Sequence, residues 1–288
     1  MAEAGRMKGK TVVVTGATTG IGKETAREIA RMGARVVLAA RNADKAKATI
    51  AEIADDTYND QLEHLPCDFE SQKSIREAAA EYRRRHPRLD VLVNNAGAVF
   101  TERALTVDGL ERTFALNHLG YFLFTTLLLD LLEASAPARI VNVASAAHLG
   151  ARIDLDDLQS EKALSGLPIY GMTKLCNVLF TKELARRVDP KNVTVNCLHP
   201  GVISSGFGRD TGGLLRLGIS IGKLFFTSPQ KGARTSIKLA TSRDVESVTG
   251  EYFDAKGRVA RVSPIALDED LARRLWEKSE ELVRRSEP

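Results

Sequence analysis

Residues 11–22 read TVVVTGATTGIG. Thr11 to Thr15 is a short β-branched run of the kind that fills a strand covered on both faces. Glycine takes over where the run stops, and Ile21 opens an apolar repeat of helical period that continues to Met32. A strand, a glycine turn and a helix in that order present unpaired helix N–H groups to an anion such as a pyrophosphate. Gly16, Thr18, Thr19, Gly20, Ile21 and Gly22 are therefore candidate nucleotide contacts. The spacing is G-x-x-x-G-x-G, and an ordinary βα loop would use the same glycines, so the flanking sequence has to carry the reading.

The same alternation continues along the chain. Short apolar runs recur at Arg35 to Ala39, Leu62 to Pro66, Leu89 to Val93, Arg139 to Ala144, Val193 to Leu198 and Gly250 to Asp254, most of them after an amphipathic helical stretch. This βαβ rhythm predicts an α/β fold of Rossmann type, a doubly wound, mainly parallel seven-stranded sheet with helices on both faces. With no linker, repeat or low-complexity tract, residues 1–288 are expected to form one domain. Residues 206–226, GFGRDTGGLLRLGISIGKLFF, break the rhythm with frequent glycine and with Arg216 and Lys223 among the apolar residues. They read as a substrate lid or, equally, as a packed surface helix.

Composition excludes several classes. A chain of 288 residues with 43% hydrophobic and 27% charged residues is globular rather than disordered, collagenous or disulfide-stapled. Cys67, Cys176 and Cys197 are odd in number and lack C-x-x-C spacing, which favours a reduced, cytoplasmic interior. No apolar signal segment follows MAEAGRMKGK. The longest apolar stretch, Leu119 to Leu132, contains Asp130 and falls short of the roughly 20 residues of a membrane span, so no integral membrane segment is expected. The basic run Arg83 to Arg88 sits at a helix end, and with a net charge of +4 it does not call for a nucleic-acid partner. His64, His118, His148 and His199 have neither metal-ligand spacing nor a convergent acid cluster, and local structural roles are expected for them.

Chemistry-bearing residues cluster where strands end. In dinucleotide enzymes an acid closes the second strand and binds the adenosine ribose, but here that strand ends Leu38-Ala39-Ala40-Arg41-Asn42. Arg41 offers a planar charged fork for a 2′-phosphate, with Asn42 as a further donor, so NADP(H) is favoured over NAD; an arginine that starts a surface helix would look the same. Tyr170 and Lys174 stand four residues apart on one helix face, where a cation favours a phenolate whose ordinary pKa is about 10. Ser145 follows a strand at its ligand-binding edge, in the position of a carbonyl clamp or of a plain strand-ending serine. Asn117 is an amide inside an apolar helix and needs a buried partner or a water. Asn94-Asn95-Ala96-Gly97 is a turn whose small residues allow backbone contact with a cofactor.

Taken in order, Thr15 to Gly22, Asn94 to Gly97, Asn117, Ser145, Tyr170 with Lys174, and Pro200-Gly201 resemble the short-chain dehydrogenase/reductase superfamily. Arg41-Asn42, Asp156-Asp157-Leu158, Lys174-Leu175-Cys176-Asn177 and His199-Pro200-Gly201 resemble its retinol-dehydrogenase and WW-domain-oxidoreductase branch. The resemblance implies an NADP(H)-dependent oxidoreductase that interconverts a hydrophobic aldehyde or ketone and its alcohol. Tyr170 would be the general acid or base, Lys174 would lower its pKa and hold the nicotinamide ribose, Ser145 would orient the carbonyl, and Asn117 would support a proton-relay water. Asp68, with Phe69 beside it, would contact the adenine. Asn95, Ala96 and Gly97 would line the cofactor, and Pro200, Gly201 and Val202 would border the nicotinamide carboxamide. Ser205 stands where threonine is common. Two expectations stay apart from the branch: only about ten residues precede the first strand, so membrane residence and retinoid specificity are not carried over. The contrasting reading is an NADP(H)-binding regulatory or scaffold protein with vestigial turnover. Homo-oligomers through the long central helices are common in the superfamily and are a further expectation.

Overall fold

In the computed structural model, which describes residues 5–161, 166–201 and 228–284, the strand read first, β1 (Thr11–Thr15), is buried along its whole length. Its companions are β2 (Arg35–Ala40), β3 (Leu62–Pro66), β4 (Val91–Asn94), β5 (Ala138–Val143), β6 (Val193–Leu198) and β7 (Tyr252–Phe253). They pair in parallel in the order β3-β2-β1-β4-β5-β6-β7. The order reverses between β1 and β4, and a doubly wound sheet opens its ligand crevice at the carboxyl ends of the strands beside such a reversal.

The described residues form seven longer helices: α1 (Gly20–Arg31), α2 (Ala43–Thr57), α3 (Gln72–Arg85), α4 (Arg112–Ala134), α5 (Gly166–Arg187), α6 (Pro229–Thr241) and α7 (Glu269–Arg284). Strand residues alternate between the two layers. Val13, Val37 and Leu92 join the cluster of α3, α4, α5 and α7, while Val12, Val14, Val36 and Val93 join that of α1, α2 and α6. Each strand thus covers two cores, which is why it reads as continuous Val and Leu rather than alternating with polar residues.

Some boundaries differ from the sequence reading. Leu89 precedes β4, because its N–H is donated to Ser135 Oγ at 2.9 Å instead of to a neighbouring strand. Helix α4 begins at Arg112, well before the apolar stretch expected, and it is long and apolar enough to cross a membrane. Its Tyr121, Phe122, Phe124, Leu128 and Leu132 are buried inside the fold, as in the core helix of a globular protein. The Arg83 to Arg88 run is occupied by local partners: Arg83 bonds the Leu127 carbonyl and Asp130, Arg84 and Arg85 pair with Glu81, and Arg88 pairs with Asp90. The three cysteines are free and buried. Val202, Ser205 and the lid expected at 206–226 lie outside the described residues.

Candidate active site

The turn between β1 and α1 is built by exclusion. Gly16 has φ 64° and Gly20 has φ 57°, conformations that favour glycine. A Cβ on Gly16 would stand 2.8 Å from Ala96 Cα, and one on Gly22 would stand 2.6 Å from the Gly16 carbonyl. Thr19, the residue before α1, makes no side-chain bond to the first helical turn, so the N–H groups of that turn are not capped from within. A cradle with no room for side chains, ending in uncapped helix N–H groups, fits a pyrophosphate held by Gly16 to Gly22. Thr18 contributes backbone to the frame, its carbonyl accepting from Thr49 Oγ1 at 3.3 Å.

Asn95 turns out to be a brace for this cradle. Its amide donates to the Thr15 carbonyl at 2.8 Å and to that of Gly16 at 3.3 Å, while Thr15 Oγ1 accepts the Asn95 and Ala96 N–H groups at 2.8 and 2.9 Å. Thr15 and Asn95 thereby lock the ends of β1 and β4 together across the switch point. Sequence spacing does not reveal Thr15 as a partner, because the two residues are 80 positions apart.

Just past the end of β2, Arg41 is 62% exposed and one nitrogen of its fork, Nη1, lies 3.2 Å from Glu70 and 3.5 Å from Asp68. Glu70 is also held by Arg112 at 2.6 Å. Asn42 spends its side-chain oxygen as the cap of α2, accepting the Lys45 N–H at 2.8 Å, which leaves its amide to donate. Asp68 Oδ1 accepts the Glu70 N–H at 3.0 Å. Phe69 points into the core, edge-on to Phe124 at 5.5 Å, so only its backbone is left for a ligand.

Ser145, Tyr170, Lys174 and Asn117 converge at the ends of β4 and β5. Ser145 leaves β5 extended, and its Oγ accepts the Ala147 N–H at 3.2 Å. Tyr170, half-buried, is hydrogen-bonded to the Ser145 side chain. Burial pushes the phenol up to about 12, against the opposing pull of that bond. Lys174, on the same face of α5, is buried with Nζ donated to the Val143 carbonyl at 3.0 Å and 5.5 Å from the Tyr170 ring centre. Burial brings its ammonium down to about 7. Burial acts on both groups toward their neutral forms, raising the phenol and lowering the ammonium.

Asn117 sits in a π-helical turn, Ala115–Leu119, that interrupts α4. Its side chain exchanges two bonds with the Ala98 backbone, each 2.9 Å, and donates to Thr173 Oγ1 at 3.2 Å. Those partners tie the Asn95 to Ala98 segment to α5. A Cβ on Gly97 would stand 2.9 Å from Asn117 Oδ1 and 3.5 Å from Lys174 Nζ, so Gly97 lets the backbone after β4 approach both side chains. Gly201, with φ 86°, donates its N–H to His199 Nδ1 at 3.2 Å beside Pro200. Among the described residues there is no group of three or more His, Cys, Asp or Glu side chains able to hold a metal ion.

This geometry has many relatives. The family described as short chain dehydrogenase matches residues 10–212. Human retinol dehydrogenase 13 is 45% identical over 281 residues, covering 96% of this chain and 85% of the relative. Mouse retinol dehydrogenase 14 is 42% identical over 298 residues, covering 98% and 88%. A crystal structure of an uncharacterized Mycobacterium paratuberculosis protein superposes with a TM-score of 0.76 at 32% identity, covering 96% of this chain and 94% of that one. The Pseudomonas aeruginosa RhlG/NADP active-site complex gives 0.71 at 26% identity, covering 89% and 98%. On a match that spans more than half of its length, the chain belongs to the short chain dehydrogenase family of NAD(P)-dependent oxidoreductases, and within it resembles the retinol dehydrogenases.

Proposed function

We propose that the protein is an NADP(H)-dependent carbonyl reductase and alcohol dehydrogenase for hydrophobic aldehydes or ketones, with Tyr170 as the general acid and base. The observation that carries this reading is the hydrogen-bonded Ser145–Tyr170 pair beside Lys174 at the switch-point crevice. The nicotinamide cofactor, when bound, donates or accepts the hydride. Ser145 has a hydroxyl proton to offer a substrate carbonyl, since its bond to Ala147 uses only an oxygen lone pair. Tyr170, kept protonated by burial, donates from Oη to the oxygen that gains charge during reduction. Lys174, buried with Nζ 5.5 Å from the Tyr170 ring centre, stands where it can hold a ribose hydroxyl and help resupply the phenol. The side chain of Asn117 is committed to Ala98 and Thr173, so support for a relay water falls to its main chain in the π turn.

Cofactor choice rests on Arg41. The strand end carries no carboxylate, the guanidinium is 62% exposed, and Nη2 and Nε have no hydrogen-bond partner among the described residues. That fork suits a 2′-phosphate, and the NADP complex among the structural relatives supports the same reading. A hydrophobic substrate agrees with the names of the retinol dehydrogenases. Residues 1–288 would act as one cytoplasmic domain. The test is reduction of a panel of apolar aldehydes and ketones with NADPH. Tyr170→Phe is expected to lower kcat by about 10²-fold or more while leaving NADPH affinity intact. Binding of NADPH by the native chain with no turnover of any carbonyl would instead support the regulatory or scaffold alternative.

A further inference from the structure

His148 is a buried imidazole beside Ser145 that takes no part in the proposed reaction. It lies three residues after Ser145 in the 3₁₀ turn Ala146–Gly150 and is fully buried. Its Nδ1 stands 2.7 Å from the Ser145 carbonyl, which also accepts the His148 N–H at 3.2 Å. A carbonyl oxygen can only accept, so Nδ1 must carry the proton, and Nε2 is then left as an acceptor. The Ser263 N–H, 3.4 Å from Nε2, is the donor that this tautomer requires. The ring is further fixed edge-on to Tyr252 at 4.7 Å, and Tyr252 stacks in turn on His199, which receives the Gly201 N–H.

We propose that His148 is a positioning residue for the carbonyl clamp: its Nδ1–H, donated to the Ser145 main-chain oxygen, fixes the backbone from which the Ser145 hydroxyl reaches the substrate. The inference rests on the proposed reductase reading, in which Ser145 orients the carbonyl. Two bonds from one residue hold the Ser145 carbonyl, and this sets the Cα–Cβ direction that keeps Oγ between the Ala147 N–H and Tyr170. Displacement of a reacting group by a fraction of an ångström is enough to slow turnover while the binding of a remote cofactor is unchanged.

Two amide variants separate the ring's bonds. In His148→Asn the side-chain amide reproduces the Nδ1 donor; in His148→Gln the longer side chain places an acceptor where Nε2 stood and loses the bond to Ser145. With NADPH and an apolar carbonyl, His148→Asn is expected to keep kcat within about threefold, and His148→Gln to lose about tenfold with KM for NADPH unchanged. On a Ser145→Ala background the His148→Gln loss is expected to vanish, since the hydroxyl it positions is gone. Equal losses in Asn and Gln, or a Gln loss that persists in full on Ser145→Ala, would overturn the inference. Nitrogen-15 spectra of the wild-type imidazole at neutral pH supply a check without variants: the Nδ1–H tautomer is expected, and Nε2–H would overturn it. Tyr170→Phe run alongside keeps the two ideas apart, because full activity there defeats the acid–base reading, whereas an inactive Tyr170→Phe leaves the His148 results to judge His148 alone.

Discussion

Lys174 is the side chain whose state is most sensitive to its surroundings. Burial brings its ammonium from 10.5 down to about 7. Between those values the unfolded chain holds a proton that the folded chain has released, so unfolding takes up a proton and stability rises with pH, by up to about 1.4 kcal/mol per unit. As pH falls to about 7 that contribution is lost, and below it both states are charged. Urea titrations of the protein without added cofactor, at a series of pH values from about 6 to 10, should show this upward slope in wild type and a flatter curve in Lys174→Met. Parallel curves would mean that the buried amine keeps its ordinary affinity for protons. Arg41 supplies a second test. Arg41→Ala should weaken NADPH binding by about 10-fold or more, the worth of a charge-assisted bond, and change NADH binding by less than about threefold. Equal losses for the two cofactors would contradict the phosphate role.

The β1–α1 turn depends on space as much as on hydrogen bonds. Gly22 lies in the first turn of α1 with the Gly16 carbonyl and the Asn95 amide against it. Gly22→Ala is therefore expected to push the turn off Asn95 and weaken dinucleotide binding by about tenfold, read from NADPH fluorescence, with a stability loss of about 1–3 kcal/mol. Unchanged affinity would show that the cradle can widen without consequence. Turn glycines of this kind were legible in the sequence, because φ and close approach are local demands that few residues meet. The brace from Asn95 to Thr15 was not. Likewise the π turn in α4 has no signature in the apolar pattern of residues 112–134, although it sets the Asn117 side chain against Ala98.

Across the molecule, α7 covers the outer face of α4 and α5. Trp276 packs at 4.8 Å from Phe122 and 5.8 Å from Phe180, under the Arg187 guanidinium at 4.3 Å. Gln72 and Arg76 hold the end of the helix through the Leu282 and Val283 carbonyls. Trp276→Ala should cost about 3–5 kcal/mol in urea unfolding, as for a large core residue, with little effect on KM for NADPH. A loss below about 1 kcal/mol would mean that α7 only rests on the domain.

The strand positions, the glycine turn and the placing of Tyr170 and Lys174 on one helix face could be read from the chain because each follows from near neighbours: β-branched runs, glycine at forced φ, and a four-residue helical spacing. Folding alone made Asn95 a brace, aimed His148 at Ser145, laid α7 over the central helices, and set the burial that raises the phenol. Those outcomes depend on which distant segments exclude water from a group, and desolvation is a property of the packed neighbourhood that no local pattern carries.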